Sequence, residues 1–304
     1  MTNRSDTLSM KLPLISVIIP TFNQALYLEQ AINSVLSQEY PAQELIIIDG
    51  GSTDGSLEII NKYRAQVSYW SSEPDNGQSH AINKGFSRCT GEIITFLSSD
   101  DYYLPGTFKD VANLYTNNPV TGALIGGFSF LAPGMNLPDP PIYPFLKSPA
   151  PLDLSLGPPG IYRLHQVATF YTRAALDTVG MRVREELRYV MDRELLYRVC
   201  REFPVTLSEK TYGVFRKHAE SKSTADILPF AREFAGLYTM SCTGESALDK
   251  RRKKMARYRL SRGYLKHAEA ALTKREKYSD LINAARLYPS LLTSKGYLKR
   301  YIME

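Results

Sequence analysis

The chain has 304 residues, 43% of them hydrophobic and 22% charged, with a formal net charge of +6. That balance excludes a largely disordered chain and suits one large domain, or a domain with an appendage. Met1 to Lys11 lacks the apolar core of a signal peptide, no segment approaches the roughly 18 apolar residues of a membrane span, and Cys89, Cys200 and Cys242 are too few and too scattered for a disulfide framework or a zinc site. A cytoplasmic protein with reduced thiols is expected.

Leu14 to Pro20 reads as a buried strand, followed by a helix from about Leu26 to Ser37 with Ala31, Ile32, Val35 and Leu36 at helical spacing. A second buried strand, Glu44 to Ile48, ends in Asp49-Gly50-Gly51-Ser52-Thr53-Asp54 and leads to a helix over Leu57 to Tyr63. A third strand, Val67 to Trp70, runs into Ser72-Glu73-Pro74-Asp75-Asn76-Gly77-Gln78 and a helix over Ala81 to Ser87. The fourth, Ile93 to Leu97, ends in Ser98-Ser99-Asp100-Asp101. Adjacent carboxylates repel, and such a pair at a strand tip suits a hard divalent cation that also holds phosphate oxygens. An Asp helix cap ahead of Leu104 and Pro105 explains the same residues locally.

Strand, polar tip and helix in repetition predict an α/β fold with a parallel sheet covered by helices. Ligands of such sheets bind outside the carboxyl ends of the strands. Thr21 and Asn23, Asp49, Glu73 and Asp75, and Asp100 and Asp101 all follow a strand, so the sheet gathers them along one edge, with Gly50, Gly51 and Gly77 allowing close backbone approach. The chain has no GxGxxG after its first strand and no GxxxxGK[ST], so diphosphate is expected to be held through Mg²⁺ or Mn²⁺ at Asp100 and Asp101.

The ordered series Ser16-Val17-Ile18-Ile19-Pro20-Thr21-Phe22-Asn23, Ile48-Asp49-Gly50-Gly51-Ser52-Thr53-Asp54, Ser72-Glu73-Pro74-Asp75-Asn76-Gly77-Gln78 and Gly91-Glu92 through Asp101 resembles family 2 glycosyltransferases. The resemblance covers about two thirds of the chain. It implies the GT-A fold, a Rossmann-like and mainly parallel sheet with helices on both faces, together with a nucleotide-sugar donor, inversion at the anomeric carbon and a divalent metal. Carried over by position, Pro20, Thr21, Asn23, Asp49, Glu73, Asp75, Gly77, Ser99 and Asp100 line the donor site, and Asp100 matches the last acid of the family's DxD motif. Ser98 replaces the first Asp of that motif, Gly50 stands where a second Asp is frequent, and His80 replaces an acidic residue common in relatives.

From Pro133 to Pro159 prolines and glycines are dense, which predicts an irregular connection, either a loop near the acceptor or a linker between domains. His165-Gln166 precedes a short strand, Ala168 to Tyr171, and resembles the HQ segment of the same relatives, implying acceptor contact. Leu187 to Asp192 leads into a helix over Arg193 to Phe203. By residue type alone Asp192 is a helix N-cap or a base. The resemblance makes it the catalytic base, in a segment whose usual Glu-Asp reads Met191-Asp192. Arg216, His218 and Lys222 lie in a segment like the one that closes these domains. Arg216 and Lys222 are expected on the diphosphate, and His218 on the phosphate or the metal.

The domains expected are a catalytic unit over residues 1–225 and a helical C-terminal extension over 226–304. The basic, aromatic-bearing tail suits either packing on the catalytic domain or a second subunit, as in a homodimer, or peripheral contact with an anionic membrane at the cytoplasmic face. No nucleic-acid motif accompanies the charge, so a nucleic-acid partner is not expected. The function implied is metal-assisted, inverting transfer of a sugar, with a UDP-sugar as donor, to a hydroxyl of a glycan or lipid-linked acceptor in cell-envelope polysaccharide biosynthesis. A catalytically silent nucleotide-sugar or glycan-binding protein of the same fold is the alternative, because Ser98 and Met191 stand where acids are usual.

Overall fold

The computed structural model describes residues 12–144, 164–218, 221, 227–240, 242, 244 and 246–289. Runs of β-branched residues buried on both sides build the centre of an eight-stranded sheet with spatial order β3-β2-β1-β4-β7-β6-β8-β5. The strands are β1 (Ile15–Thr21), β2 (Gln43–Asp49), β3 (Tyr69–Ser72), β4 (Ile93–Phe96), β5 (Tyr102–Tyr103), β6 (Ala123–Leu131), β7 (Thr169–Thr172) and β8 (Val205–Arg216). β7 and β5 run against their neighbours, and the remaining six share one direction. The carboxyl ends of those six strands and the starts of β5 and β7 therefore meet along a single edge.

Successive residues of one strand point to opposite faces of a sheet, and both faces are covered here. Val17, Ile19, Leu45 and Ile47 pack with Leu28, Ile32 and Val35 of α1 (Ala25–Leu36), Ile60 of α2 (Ser56–Tyr63), and Phe108 and Val111 of α4 (Thr107–Asn117). Ile18, Ile46, Ile48 and Phe96 pack on the other side with Ile82 and Phe86 of α3 (Gln78–Phe86), Leu176 of α5 (Arg173–Val179), and Leu195 and Val199 of α6 (Met191–Glu202). In that layer a Cβ added at Gly85 would lie 2.4 Å from Cγ2 of Ile18. Gly85→Ala is therefore expected to destabilise the fold by about 1–3 kcal/mol, although alanine is the better helix former, and a urea melt with an unchanged m-value checks it.

The second cluster does not stop at the expected boundary near residue 225. Phe234, Leu237 and Tyr238 of α7 (Ile227–Met240) and Ala256 of α8 (Ala247–Ala270) belong to it. The Glu233 carboxylate accepts the backbone N–H groups of Arg188 and Tyr189 at 2.8–3.1 Å. The last helix, α9 (Lys274–Leu287), folds back on α8, where Leu265 meets Ala284 and the Ser261 hydroxyl donates to the Ala284 carbonyl at 2.9 Å. The helical hairpin expected of the tail is present, and its first helices share the core of the sheet.

Several bounds differ from the expectations. β3 begins two residues later than Val67, and α3 starts at Gln78 rather than Ala81. The helix expected from Arg193 begins at Met191, with Val190 at the cap position and no side-chain capping bond. Asp192 thus lies inside the first turn, which removes the cap as its role. Of the irregular stretch expected from Pro133, residues up to 144 carry an isolated bridge, Phe128 to Ile142, and the rest lies outside the described residues. Among the described residues no helix is long and apolar enough to cross a membrane.

Candidate active site

At the tip of β2 the Asp49 carboxylate is fully buried. Its Oδ2 accepts Gly51 N at 3.1 Å, Ser52 N at 2.9 Å and the Ser72 hydroxyl at 2.6 Å, and its Oδ1 accepts the Ser52 hydroxyl. Four donors thus converge on the Asp49 carboxylate, three on Oδ2 and one on Oδ1, and they hold the loop after β2 in shape at the strand tips. That loop in turn clamps the one after β1. Asn23 sits in the left-handed region at φ 51°, donates its N–H to Ser52 Oγ at 2.8 Å and accepts Thr53 N on its side-chain oxygen at 2.9 Å. Asn tolerates that conformation better than most residues. Pro20 and Thr21 end β1 directly beside Ile48 and Asp49, and the Gly50 N–H donates to the Thr21 carbonyl at 2.9 Å.

Past β3, the Asp75 carboxylate accepts Gly77 N at 2.7 Å and lies over Gly50, where an added Cβ would approach it to 3.2 Å. A side chain at position 50 would press on the Asp75 carboxylate. Gly77 opens α3 at φ 102°, a conformation that favours glycine. Glu73 is exposed and paired with Lys84 at 2.8 Å, and that hydrogen bond holds its carboxyl below the usual range.

The acidic pair at β4 divides. Asp101 is 2% exposed and accepts the backbone N–H of Arg216 at 2.9 Å; burial, then the charge of Asp100, pushes its carboxyl well above the ordinary range. It fastens β8 to the tip of β4, and its placement is not that of an open metal ligand. Asp100 is half-buried, with Oδ2 2.9 Å from Nε2 of His218. Arg216, expected on the diphosphate, is 9% exposed: Nη1 donates to the Asp100 carbonyl at 2.6 Å, Nη2 donates to Gln30, and the rings of Tyr27 and Tyr102 lie 4.6 and 5.5 Å from its guanidinium. Arg216 thus positions Asp100. Ser99 is buried in the turn, and Ser98, where the first acid of the motif would stand, accepts a hydrogen bond from Gln78 at 3.3 Å.

Because β7 is antiparallel, His165 and Gln166 at its start reach the same edge. The His165 ring lies 4.8 Å from Phe128 and 4.6 Å from Phe215, and burial lowers its pKa to about 3, so it is a neutral packing group there. Gln166 is different. Its Nε2 is buried without a hydrogen-bond partner, as are Thr21 Oγ1 and Gln24 Oε1, and all three lie near the carboxyl edge. Buried polar atoms are seldom left unsatisfied, and a polar ligand at that edge would answer them.

Asp192 is brought to the edge through α3. Gln78 at the start of α3 touches Ser98, Ser79 Oγ donates to the Leu187 carbonyl at 2.8 Å, and Asn83 exchanges hydrogen bonds with the Val183 backbone at 2.9 and 3.0 Å. The segment entering α6 is thereby laid along α3. Met191 is buried in the core, and Asp192 beside it is half-buried at the positive end of the helix. Burial raises the Asp192 carboxyl above its ordinary range, partly opposed by Arg193. Lys222 lies outside the described residues.

No group of three or more His, Cys, Asp and Glu side chains that could hold a metal occurs among the described residues. The carboxylate of Asp100 touching the imidazole of His218 nevertheless fits a cation that takes its other ligands from phosphate oxygens and water. Sequence reasoning missed Tyr27, Gln30 and Tyr102. The one available signal was polar Gln30 beside the apolar face of α1.

A sequence model described as glycosyl transferase family 2 matches residues 16–180. An uncharacterized glycosyltransferase of Nostoc sp. is 37% identical over 119 residues, which are 36% of this chain and 35% of that protein. The matched residues span 35%, 45% and 37% of the length of three curated relatives, each an uncharacterized glycosyltransferase. Among solved structures, S. aureus TarS 1-349 in complex with UDP-GlcNAc superposes with a TM-score of 0.63 at 24% identity, covering 89% of this chain and 79% of that one. The mannosyltransferase PcManGT from Pyrobaculum calidifontis, in complex with GDP-Man and Mn2+, gives 0.60 at 16% identity over 97% of this chain and 84% of that one. At these identities the superpositions show the fold.

Proposed function

The chain belongs to glycosyl transferase family 2 and has the GT-A fold, and from that premise we propose that it transfers a sugar from a UDP-sugar to a hydroxyl of a glycan or lipid-linked acceptor, with inversion at the anomeric carbon. The observation that carries this reading is the contact of Asp100 with His218 at the strand-tip edge to which α3 also ties the Asp192 segment. In this proposal Asp192 takes the proton of the acceptor hydroxyl as its oxygen attacks the anomeric carbon. The bond to the diphosphate breaks on the opposite face, and the diphosphate leaves with the electron pair. A carboxyl raised by burial is a stronger base than an ordinary aspartate once ionised.

Asp100 and His218 would hold Mn²⁺ or Mg²⁺. When bound, the cation supplies positive charge against that building on the leaving diphosphate. Arg216 and Asp101 keep Asp100 in place, Pro20, Thr21, Asn23, Asp75 and Gly77 form the wall for the nucleoside, and Gln166 offers its amide to the acceptor. Lys222 is assigned to the diphosphate by its position in the chain. We place the protein in the cytoplasm, in keeping with its free cysteines, of which Cys89 and Cys200 are buried with thiols raised to about 12.

A thermal-shift comparison of UDP, UDP-GlcNAc, GDP and GDP-mannose, each with and without Mn²⁺, tests the donor site. UDP and its sugar are expected to raise the melting temperature by several degrees in the presence of the metal, since a ligand at about 100 times its dissociation constant adds roughly 2.7 kcal/mol. A protein indifferent to every nucleotide would overturn the proposal, and a response to the guanine series alone would overturn the choice of UDP.

A further inference from the structure

Three exposed apolar side chains of the C-terminal hairpin fall in a line. Leu272, in the turn between α8 and α9, is 96% exposed, and Tyr278 and Ile282 on α9 are 63% and 52% exposed. Arg275 and Arg286 are exposed as well. At 3.6 residues per turn, positions 275, 278, 282 and 286 share one stripe of the helix, and 272 continues it into the turn. Asp280 and Ala284 lie on the opposite side, buried against α8.

The acids of α9 are engaged within the hairpin. Glu276 closes the helix start with Thr273, whose hydroxyl donates to its carboxylate at 2.9 Å and accepts its N–H at 3.2 Å. Asp280 meets Nδ1 of His267 at 2.6 Å. The stripe itself therefore carries leucine, tyrosine and isoleucine between arginines and no carboxylate. Lys274 and Glu276 beside it, and Arg262, Lys266 and Glu269 on α8, are also exposed, so cations still exceed acids around the stripe.

Apolar and aromatic side chains flanked by arginine, without acid, match the headgroup layer of an anionic bilayer in both polarity and charge. A two-fold contact between copies of this chain would instead bring basic stripes together. We propose that the α8–α9 hairpin docks on an anionic membrane surface, with Leu272, Tyr278 and Ile282 entering the headgroup layer and Arg275 and Arg286 meeting lipid phosphates. Taken with the transfer reading, on which this clause alone rests, docking favours a lipid-linked acceptor over a free glycan.

The test is sedimentation of the full chain with vesicles of phosphatidylcholine alone and of phosphatidylcholine mixed with phosphatidylglycerol. Capture by the mixed vesicles and not by the neutral ones is expected, with loss at high salt. Arg275→Glu with Arg286→Glu, and separately Tyr278→Ser with Ile282→Ser, should each weaken partitioning roughly tenfold or more, while melting temperature and circular dichroism match the parent chain because every replaced side chain is exposed. The nucleotide thermal shift on the same samples reports on the donor site independently. No capture, equal capture by both vesicle types, or capture unchanged in both double variants would overturn docking. A two-chain mass in solution that Tyr278→Ser with Ile282→Ser returns to one would assign the face to self-association and overturn it as well.

Discussion

Asp192→Asn is expected to lower sugar transfer by about 10²–10⁴-fold, the usual contribution of a positioned base, while leaving the UDP-sugar thermal shift unchanged. The substitution is nearly isosteric, and no cap is lost, because Val190 occupies that position. The pH profile separates a base from a merely structural carboxylate. Burial raises the Asp192 carboxyl, so kcat/KM of the parent chain should fall on acidification through a pKa above the roughly 3.9 of an ordinary aspartate. The asparagine variant should lose that limb.

Stability runs the other way. A carboxyl whose pKa is raised by folding favours the folded state most below its unfolded value and loses that contribution as pH rises through the folded value. At neutral pH the asparagine variant should therefore melt no lower than the parent. Turnover near that of the parent chain, with the acidic limb retained, would remove Asp192 as the base.

The second large effect is expected at Asp100. Asp100→Ala should abolish the dependence of donor binding on Mn²⁺ and lower turnover by roughly 10²–10³-fold, since loss of several kcal/mol of charge stabilisation corresponds to about tenfold per 1.4 kcal/mol. Collapse of the site is not expected, because Arg216 holds the backbone carbonyl of Asp100 and not its carboxylate. Asp101→Ala supplies the contrast. It leaves the buried N–H of Arg216 without its acceptor, at a cost of about 1–3 kcal/mol, and should lower the melting temperature while metal dependence persists. Titration of UDP-sugar turnover with Mn²⁺, alongside melting of each variant, reads both. An Asp100→Ala protein that still responds to the metal as the parent does would refute the assignment.

The sequence made the first half of the fold legible because the strands β1, β2 and β4 are short apolar runs buried on both faces and end in recognisable polar turns. It did not disclose β8. Val205-Thr206-Leu207-Ser208-Glu209-Lys210 is partly exposed and polar, so neither a continuous apolar run nor a clean alternation marks it. The same limit applied to side-chain roles. Nothing in the polar segment around Arg216 shows that its guanidinium lies between Tyr27 and Tyr102. Nor does the sequence show that the His165 ring packs against Phe128 and Phe215. Whether Asp192 caps a helix or lies within its first turn depends on where the helix starts, a shift of one or two residues that propensity does not resolve.

The fastening of β8 to the tip of β4 also bears on how the chain folds. Asp101 and Arg216 are separated by 115 positions, and Arg216 and Gln30 by 186. Contacts of such long sequence separation are among the last to be rewarded when a chain folds, because the intervening loop must close first. A ribosome-bound chain can pair β1, β2 and β4 early and still lack a usable donor site. On the proposed reading, the acidic tip becomes a donor site only when the twelve residues of β8 have docked and Arg216 has reached the Asp100 carbonyl.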